Sequence, residues 1–101
     1  MKEITIPDSV ETIGKQAFYC TSITSVTLPK SVTSIGVGAF ENSGSLTSIT
    51  VLSIAPPKGS DRMFDNTGNC PIYVPANSVD EYKSAVFWMN YASRIVAIPE
   101  K

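Results

Sequence analysis

The side chains that most often carry out chemistry are scarce and scattered in this 101-residue sequence. It contains no histidine. Histidine is the commonest general base, the usual activator of a catalytic serine or cysteine, and the most frequent transition-metal ligand. The sequence therefore lacks the residue on which most hydrolase and metalloenzyme sites depend. We predict neither an enzyme nor a bound cofactor.

Two groups of acidic and amide side chains remain as candidates for metal binding or acid–base chemistry. One predicted loop carries oxygen ligands of the kind calcium prefers, namely Asp61, Asp65, Asn66 and Asn69. Their spacing is not that of a calcium loop, and Asx residues are ordinary turn formers, so we expect a solvated loop. Asp80 and Glu81 are adjacent carboxylates, but a helix start accounts for both through capping and the helix dipole.

Composition and charge narrow the classes of partner. Eight basic residues stand against nine acidic ones without clustering, so no basic stripe is available for nucleic acid. No apolar run approaches the roughly 20 residues of a membrane span, and residues 1–7 lack the apolar core of a signal peptide. At this length one domain is expected.

The chain repeats itself with a period of 22 to 23 residues. Residues 6–14 (IPDSVETIG) match residues 28–36 (LPKSVTSIG), and the match continues through Ala17-Phe18 and Ala39-Phe40. The equivalent residues Ile6, Leu28, Val51 and Val74 are 22, 23 and 23 residues apart. Such a period is typical of leucine-rich solenoids, in which each coil contributes one short strand. We predict coils at about 3–25, 26–48 and 49–71, called here the first, second and third repeats, and a last strand at 72–75.

One repeat can be interpreted from its side chains alone. Val26 and Leu28 alternate with Thr27, so the first two point inward and the threonine points outward. Val32, Ile35, Ala39 and Phe40 complete the interior, and Gly36 permits a tight corner. Stacking the repeats in a parallel ladder about 4.8 Å apart brings equivalent residues together. Phe18, Phe40 and Phe64 are therefore predicted to form one internal aromatic column.

The two ends of the chain differ. After Pro75, the sequence Ser78-Val79-Asp80-Glu81 is a capping box. An apolar periodicity then predicts a helix of two to four turns, broken near Asn90, that caps the core over residues 78–101, with a final strand at 96–99. Its predicted apolar positions are Tyr82, Ala85, Val86, Trp88, Met89, Ala92 and Ile95. Glu3–Ile6 is already a repeat strand with an exposed edge, so we expect the native chain to continue beyond it, and the fragment to fray or self-associate edge to edge.

The two cysteines are predicted to remain separate thiols. Cys20 lies in the return turn of the first repeat, whereas Cys70 matches Thr24 two coils further along. Two ladder steps are roughly 9 to 10 Å, beyond the limit of about 7 Å between the Cα atoms of a disulfide. We expect Cys20 to be a small core-filling residue at its turn.

The run I/L-P-x-S-V-x-x-I-G-x-x-A-F at 6–18 and 28–40 resembles the BspA-like leucine-rich repeat family, also called the Treponema pallidum type. Residues 55–64 and 72–83 are similar to the C-terminal portion of Bacteroides-type surface proteins of that family. The third repeat departs from the pattern, since Lys58-Gly59-Ser60-Asp61-Arg62 replaces V-x-x-I-G. The resemblance implies a secreted or cell-surface, non-catalytic protein whose repeats bind other macromolecules, with host matrix proteins and other bacterial cells among the partners.

The outward strand positions form the candidate binding face of this predicted domain of residues 1–101. They are nearly all uncharged hydroxyl residues, with one aromatic anchor: Thr5, Thr24, Ser25, Thr27, Thr47, Ser48, Thr50 and Tyr73. Threonine also suits strands for its shape alone, so a purely structural cap or spacer is one alternative function. A carbohydrate-binding module is the other, because Tyr82, Trp88 and Tyr91 could stack on a sugar ring, although their spacing places at least two of them over the core. Our prediction is an adhesin-like domain that binds a protein partner through its parallel sheet and flanking turns.

Overall fold

Short strands alternate with turns along most of the chain in a computed structural model, which describes residues 3–68 and 70–98. The strands are β1 (Glu3–Thr5), β2 (Thr12–Ile13), β3 (Ser25–Leu28), β4 (Ser34–Ile35), β5 (Ser48–Val51), β6 (Ile72–Val74) and β7 (Ile95–Ala97). The helices are a 3-10 turn at Ala76–Ser78, α1 at Val79–Ser84 and a second 3-10 segment at Trp88–Arg94. No helix in the described part of the chain is long and apolar enough to cross a membrane.

The strands form two parallel sheets whose register follows the sequence repeat. The larger sheet has five strands in the order β1-β3-β5-β6-β7, and β2 pairs with β4 in the smaller one. Val26 lies opposite Ile49 and Ile49 opposite Ile72, so each strand is offset from its neighbour by one repeat. The prediction of short parallel strands is confirmed, but the first and second repeats each contribute a second strand, β2 and β4, in addition to the predicted one. The final strand is confirmed too, but it spans Ile95–Ala97 rather than 96–99.

The core is built from the inward side chains of the large sheet and a column of aromatic rings. Phe18 stacks on Phe40 with ring centroids 5.0 Å apart, and Phe40 stacks on Phe64 at 5.7 Å. Trp88 extends the column with an edge contact to Phe64 at 5.5 Å. Phe40 and Phe64 are fully buried, whereas Phe18 at the end of the column is half-buried. The predicted aromatic column is therefore confirmed.

Replacing Phe40 by alanine should lower the free energy of unfolding by about 3–5 kcal/mol, because the ring is fully buried between two others and its removal leaves a cavity. Denaturant titration measures this loss. Phe18→Ala is the matched control and should cost clearly less, since that ring is half exposed. A loss below about 1 kcal/mol for Phe40→Ala would contradict the stacked column.

Backbone contact between repeats, rather than a sharp corner, explains the glycine at position 36. The Gly36 N–H donates to the Ile13 carbonyl at 2.7 Å. A Cβ atom there would lie 2.5 Å from the Lys15 backbone nitrogen, so a side chain would push the two repeats apart. The divergent third repeat keeps the same ladder through its backbone, since the Ile35 N–H donates to the Lys58 carbonyl at 2.8 Å.

Each repeat has two left-handed backbone positions at equivalent places in its return loop. The first position is taken by Gln16, Gly38 and Arg62, with φ between 55° and 60°. The second is taken by Cys20, Asn42 and Asn66, with φ of 56°, 65° and 58°. Asparagine and glycine tolerate this conformation better than other residues.

Cys20 therefore occupies a place that the other two repeats give to asparagine. Its side chain is exposed, so the prediction that it fills the core at its turn is wrong. The left-handed backbone at Cys20 belongs to an exposed loop in which Asn42 and Asn66 also point outward. Both cysteines are free thiols, as predicted.

Substituting Cys20→Asn should raise the free energy of unfolding by about 0.5–1 kcal/mol, because asparagine is less strained at positive φ. The new amide would also lie beside Asn42, which already accepts a 2.7 Å hydrogen bond from the Asn66 amide. Thermal unfolding of Cys20→Asn and of Cys20→Ala separates the two residue types at one exposed site. Equal melting temperatures for the two variants would contradict the conformational argument.

The C-terminal cap is shorter and more irregular than the sequence predicts. Helix α1 ends at Ser84 and the chain leaves the helix at 85–87, while a kink at Tyr91 interrupts the second 3-10 segment beside the predicted break near Asn90. Tyr82 and Trp88 are fully buried, but Val86 is 67% and Met89 50% exposed, so the predicted apolar face is wrong at those two positions. The cause is Phe87, whose φ of 71° turns the chain before Trp88.

The capping box is also wrong. Neither Ser78 nor any other side chain caps α1. The buried Ser78 hydroxyl instead donates to the Ile54 carbonyl at 2.6 Å. Asp80 and Glu81 lie exposed in the first turn of the helix.

Side chains of the cap form hydrogen bonds with the third repeat, mostly with its backbone. The Tyr82 hydroxyl donates to the Ser53 carbonyl and the Trp88 indole N–H to the Pro57 carbonyl. The Tyr91 hydroxyl accepts from the Phe64 N–H at 3.3 Å and donates to the Asp65 carboxylate at 2.7 Å. The Arg94 guanidinium donates to the Cys70 carbonyl at 2.9 Å. These bonds satisfy backbone groups at the end of the repeats.

Burial raises the pKa of both the Tyr82 and the Tyr91 phenol above the ordinary value, and hydrogen bonding to Asp65 adds to the effect at Tyr91. Unfolded tyrosines ionise near pH 10, while these two stay protonated in the folded state. The unfolded state then binds fewer protons, so stability falls as pH rises.

The free energy of unfolding should therefore decrease between about pH 9 and pH 11. Tyr82→Phe removes one of the two groups, so it should weaken this dependence although it costs a hydrogen bond at neutral pH. Urea titrations at each pH measure both effects. A wild-type stability that stays constant over this range would rule out the protected phenols.

Candidate binding face on the parallel sheet

One row of strand positions crosses the large sheet and includes half of the predicted binding residues. The register places Thr5 opposite Thr27, Thr27 opposite Thr50, and Thr50 opposite Tyr73. For Thr5 only the backbone position is described. Thr27 is exposed, and Thr50 and Tyr73 are half-buried. The register aligns these four positions in one row, and Thr27, Thr50 and Tyr73 alternate with buried residues along their strands.

Val96 extends the same row beyond Tyr73 and was missed as a site residue. It pairs with Tyr73 in the register and is 39% exposed. The sequence could have indicated this position, because Ile95-Val96-Ala97 aligns with Ile72-Tyr73-Val74 and places Val96 at the position of Tyr73. The row therefore changes along the sheet from hydroxyl side chains to a tyrosine and a valine.

The remaining predicted residues are Ser25 and Ser48, which form a second row, and Thr24 and Thr47, which lie immediately before their strands. Ser25 and Ser48 lie opposite each other and are half-buried. Thr47 is exposed, but its N–H and its hydroxyl both donate to the Thr24 carbonyl, at 2.8 and 3.0 Å. Thr24 and Ser25 are engaged in interactions of their own. Thr24 and Thr47 therefore join one repeat to the next. The first row is better placed to contact a ligand.

The outer face of β3, β5, β6 and β7 carries no charged side chain. Binding there relies on shape, apolar contact and hydrogen bonds of hydroxyl groups. Buried hydroxyls need hydrogen-bond partners, so a ligand must supply donors and acceptors along the threonines. It must supply apolar surface opposite Tyr73 and Val96.

The turns that follow the strands add a polar groove beside the sheet. A cavity of about 440 Å³ is lined by Asp8, Lys30, Ser31 and Leu52. Asp8 and Lys30 occupy equivalent positions in the first and second repeats. The flanking turns thus offer charges of both signs next to an uncharged sheet.

The other candidate sites are not assembled. Tyr82, Trp88 and Tyr91 are all buried, so none of them presents a ring face to a sugar. Among the described residues no three His, Cys, Asp or Glu side chains are grouped to hold a metal. Asp65 accepts from Tyr91 and Asn66 donates to Asn42, while Asn69 lies outside the described residues.

Comparison with protein families gives one match that spans the chain. The family model of the BspA type leucine rich repeat region matches residues 1–101, in six copies. No curated protein matches the chain.

Proposed function

Because the chain belongs to the BspA-type leucine-rich repeat family, we propose that it is a solenoid segment of a secreted or cell-surface bacterial protein, with a non-catalytic, adhesin-like binding role. Its repeats are of a kind generally found in surface proteins. The partner we propose is a protein, bound on the outer face of the large sheet and the turns beside it.

The observation that carries this proposal is the row formed by Thr27, Thr50, Tyr73 and Val96. Neighbouring members are adjacent in the register, so the row is held about 4.8 Å from strand to strand. Backbone bonds between the repeats keep these positions rigid, so little ordering entropy is lost when a partner binds. Tyrosine is among the residues most enriched at binding hot spots.

Recognition in this proposal involves no chemical step. Tyr73 and Val96 supply the apolar contact, and the threonine hydroxyls fix the orientation of the bound segment. The groove at Asp8 and Lys30 adds charge selectivity at the edge of the footprint. A ligand that spans both would contact uncharged hydroxyl and apolar side chains on the sheet and charged side chains in the groove.

The two alternative functions differ from this one in what they require of the surface. A carbohydrate module needs an exposed aromatic platform, and the buried rings of the cap argue against one there. A structural spacer needs no ligand at all, and it is the interpretation to adopt if Tyr73 has no role in binding.

Binding of the intact chain to a panel of purified extracellular-matrix proteins tests the proposal. Tyr73→Ala should weaken binding to any matrix protein that the chain retains by at least about 30-fold, the effect of losing a hot-spot residue. Biolayer interferometry gives the affinities, and thermal unfolding verifies that the variant is folded.

Tyr19→Ala is the matched control, because Tyr19 is 41% exposed on a return loop away from the sheet. It should bind as the wild type does. Equal loss in both variants, or no loss in either, would refute the sheet as the docking surface. Retention of glycans on an array with no retention of proteins would favour the carbohydrate alternative.

A further inference from the structure

The row of Thr27, Thr50, Tyr73 and Val96 keeps its hydroxyl groups free of bonds to the rest of the chain. In the part of the chain that the structure describes, the hydroxyls of Thr27, Thr50 and Tyr73 have no hydrogen-bond partner. The other threonines with described side chains are all engaged within the molecule: Thr12, Thr21, Thr24, Thr33, Thr47 and Thr67. The row therefore holds three hydroxyl groups that a ligand can bind without breaking a bond of the fold.

These hydroxyls favour a ligand whose backbone carbonyls are free. An α-helix bonds its carbonyls internally and offers none along its length. A polyproline II helix makes no internal hydrogen bonds, so its carbonyls can all accept from the row. Proline also lacks an N–H group, so covering a proline leaves no backbone donor without a partner. Donors on the row and acceptors on such a segment are therefore complementary.

The spacing of the row favours the same conformation. The register places Thr27 and Tyr73 two strands apart, and likewise Thr50 and Val96. Two strand separations are about 9.6 Å, and a polyproline II helix repeats every three residues, or about 9.3 Å. Residues i and i+3 on one face of that helix therefore match positions two strands apart. An extended strand repeats every two residues at about 6.7 Å and falls out of register with the row.

Tyr73 and Val96 give the row an apolar end that suits a proline ring. Val96 is 39% exposed and pairs with Tyr73 in the register. The outer face of β3, β5, β6 and β7 carries no charged side chain, so it favours an uncharged segment. A sugar chain would need the open face of an aromatic ring, whereas Tyr73 is half-buried and its neighbour in the row is aliphatic. Aromatic side chains beside hydrogen-bond donors are a recurrent means of binding proline-rich segments.

We propose that the ligand of this row is a proline-rich protein segment in the polyproline II conformation, lying across the strands of the large sheet. This partner class rests on the proposed function, since it concerns the same face. One turn of the segment packs a proline ring between Tyr73 and Val96. The next turn lies over Thr27 and Thr50, whose hydroxyls donate to its carbonyls. Because the conformation is preformed, the segment loses little chain entropy on binding.

Two nonapeptides that differ only in the order of their residues test the spacing. Each has six prolines and three aspartates, and circular dichroism verifies that both adopt the polyproline II conformation. Aspartates at the second, fifth and eighth positions share one face of the helix and leave two proline faces intact. Aspartates at the fourth, fifth and sixth positions interrupt every face at its middle residue. By fluorescence anisotropy, the first peptide should bind the intact chain with a dissociation constant below about 1 mM, and the second at least about tenfold more weakly.

Variants of the row test its contacts with the first peptide. Tyr73→Ala should weaken binding by at least about tenfold. Thr50→Val keeps the β-branched shape but removes the hydroxyl, and should weaken binding by about 3- to 10-fold. Thr33→Val is the matched control, because Thr33 is an exposed threonine outside the large sheet, and it should bind as the wild type does. Thermal unfolding verifies that each variant is folded.

Equal affinities for the two peptides, or peptide binding that Tyr73→Ala leaves unchanged, would overturn the proline-rich ligand. Binding of a matrix protein that depends on Tyr73, while neither peptide binds at about 1 mM, would also overturn it but leave the proposed function standing. Binding of a glycan in place of the peptides would refute both, as would a chain that binds neither matrix proteins nor peptides.

Discussion

Backbone hydrogen bonds between equivalent residues of successive repeats are the interaction on which the rest of the structure depends. They run along the large sheet, along the β2–β4 pair and through the return loops. Each repeat is therefore bonded to its neighbour both at its strands and in its return loop. Because the bonds join backbone to backbone, they tolerate sequence change. The third repeat lacks the V-x-x-I-G motif, yet Lys58 still pairs with the second repeat.

The same ladder makes the ends of the molecule a physical problem, since a ladder always ends in unused donors and acceptors. At the C-terminal end the chain solves it with side chains. Tyr82, Trp88 and Tyr91 are at once apolar covers for the core and hydrogen-bond partners for backbone groups of residues 53–64. Buried aromatic residues with one polar atom suit this double task.

The proposed binding face follows from the ladder as well. Strand register decides which side chains become neighbours, and it aligns Thr27, Thr50, Tyr73 and Val96 in one row. The face is uncharged because its positions repeat and are filled mostly by threonine and serine. Tyr73 and Val96 interrupt that uniformity at the end nearest the cap.

The sequence by itself determined the repeat, the inward and outward positions, the aromatic column and the separation of the two cysteines. These follow from a period of 22 to 23 residues and from the alternation of side chains along a strand. Only the tertiary structure decided the path of the cap, the hydrogen-bond partner of the Ser78 side chain and the exposure of Cys20. The capping box failed because a carbonyl of a distant segment, that of Ile54, reached the Ser78 hydroxyl. Cys20 was misplaced because its exposure follows from the path of the return loop, where its left-handed backbone matches that of Asn42 and Asn66.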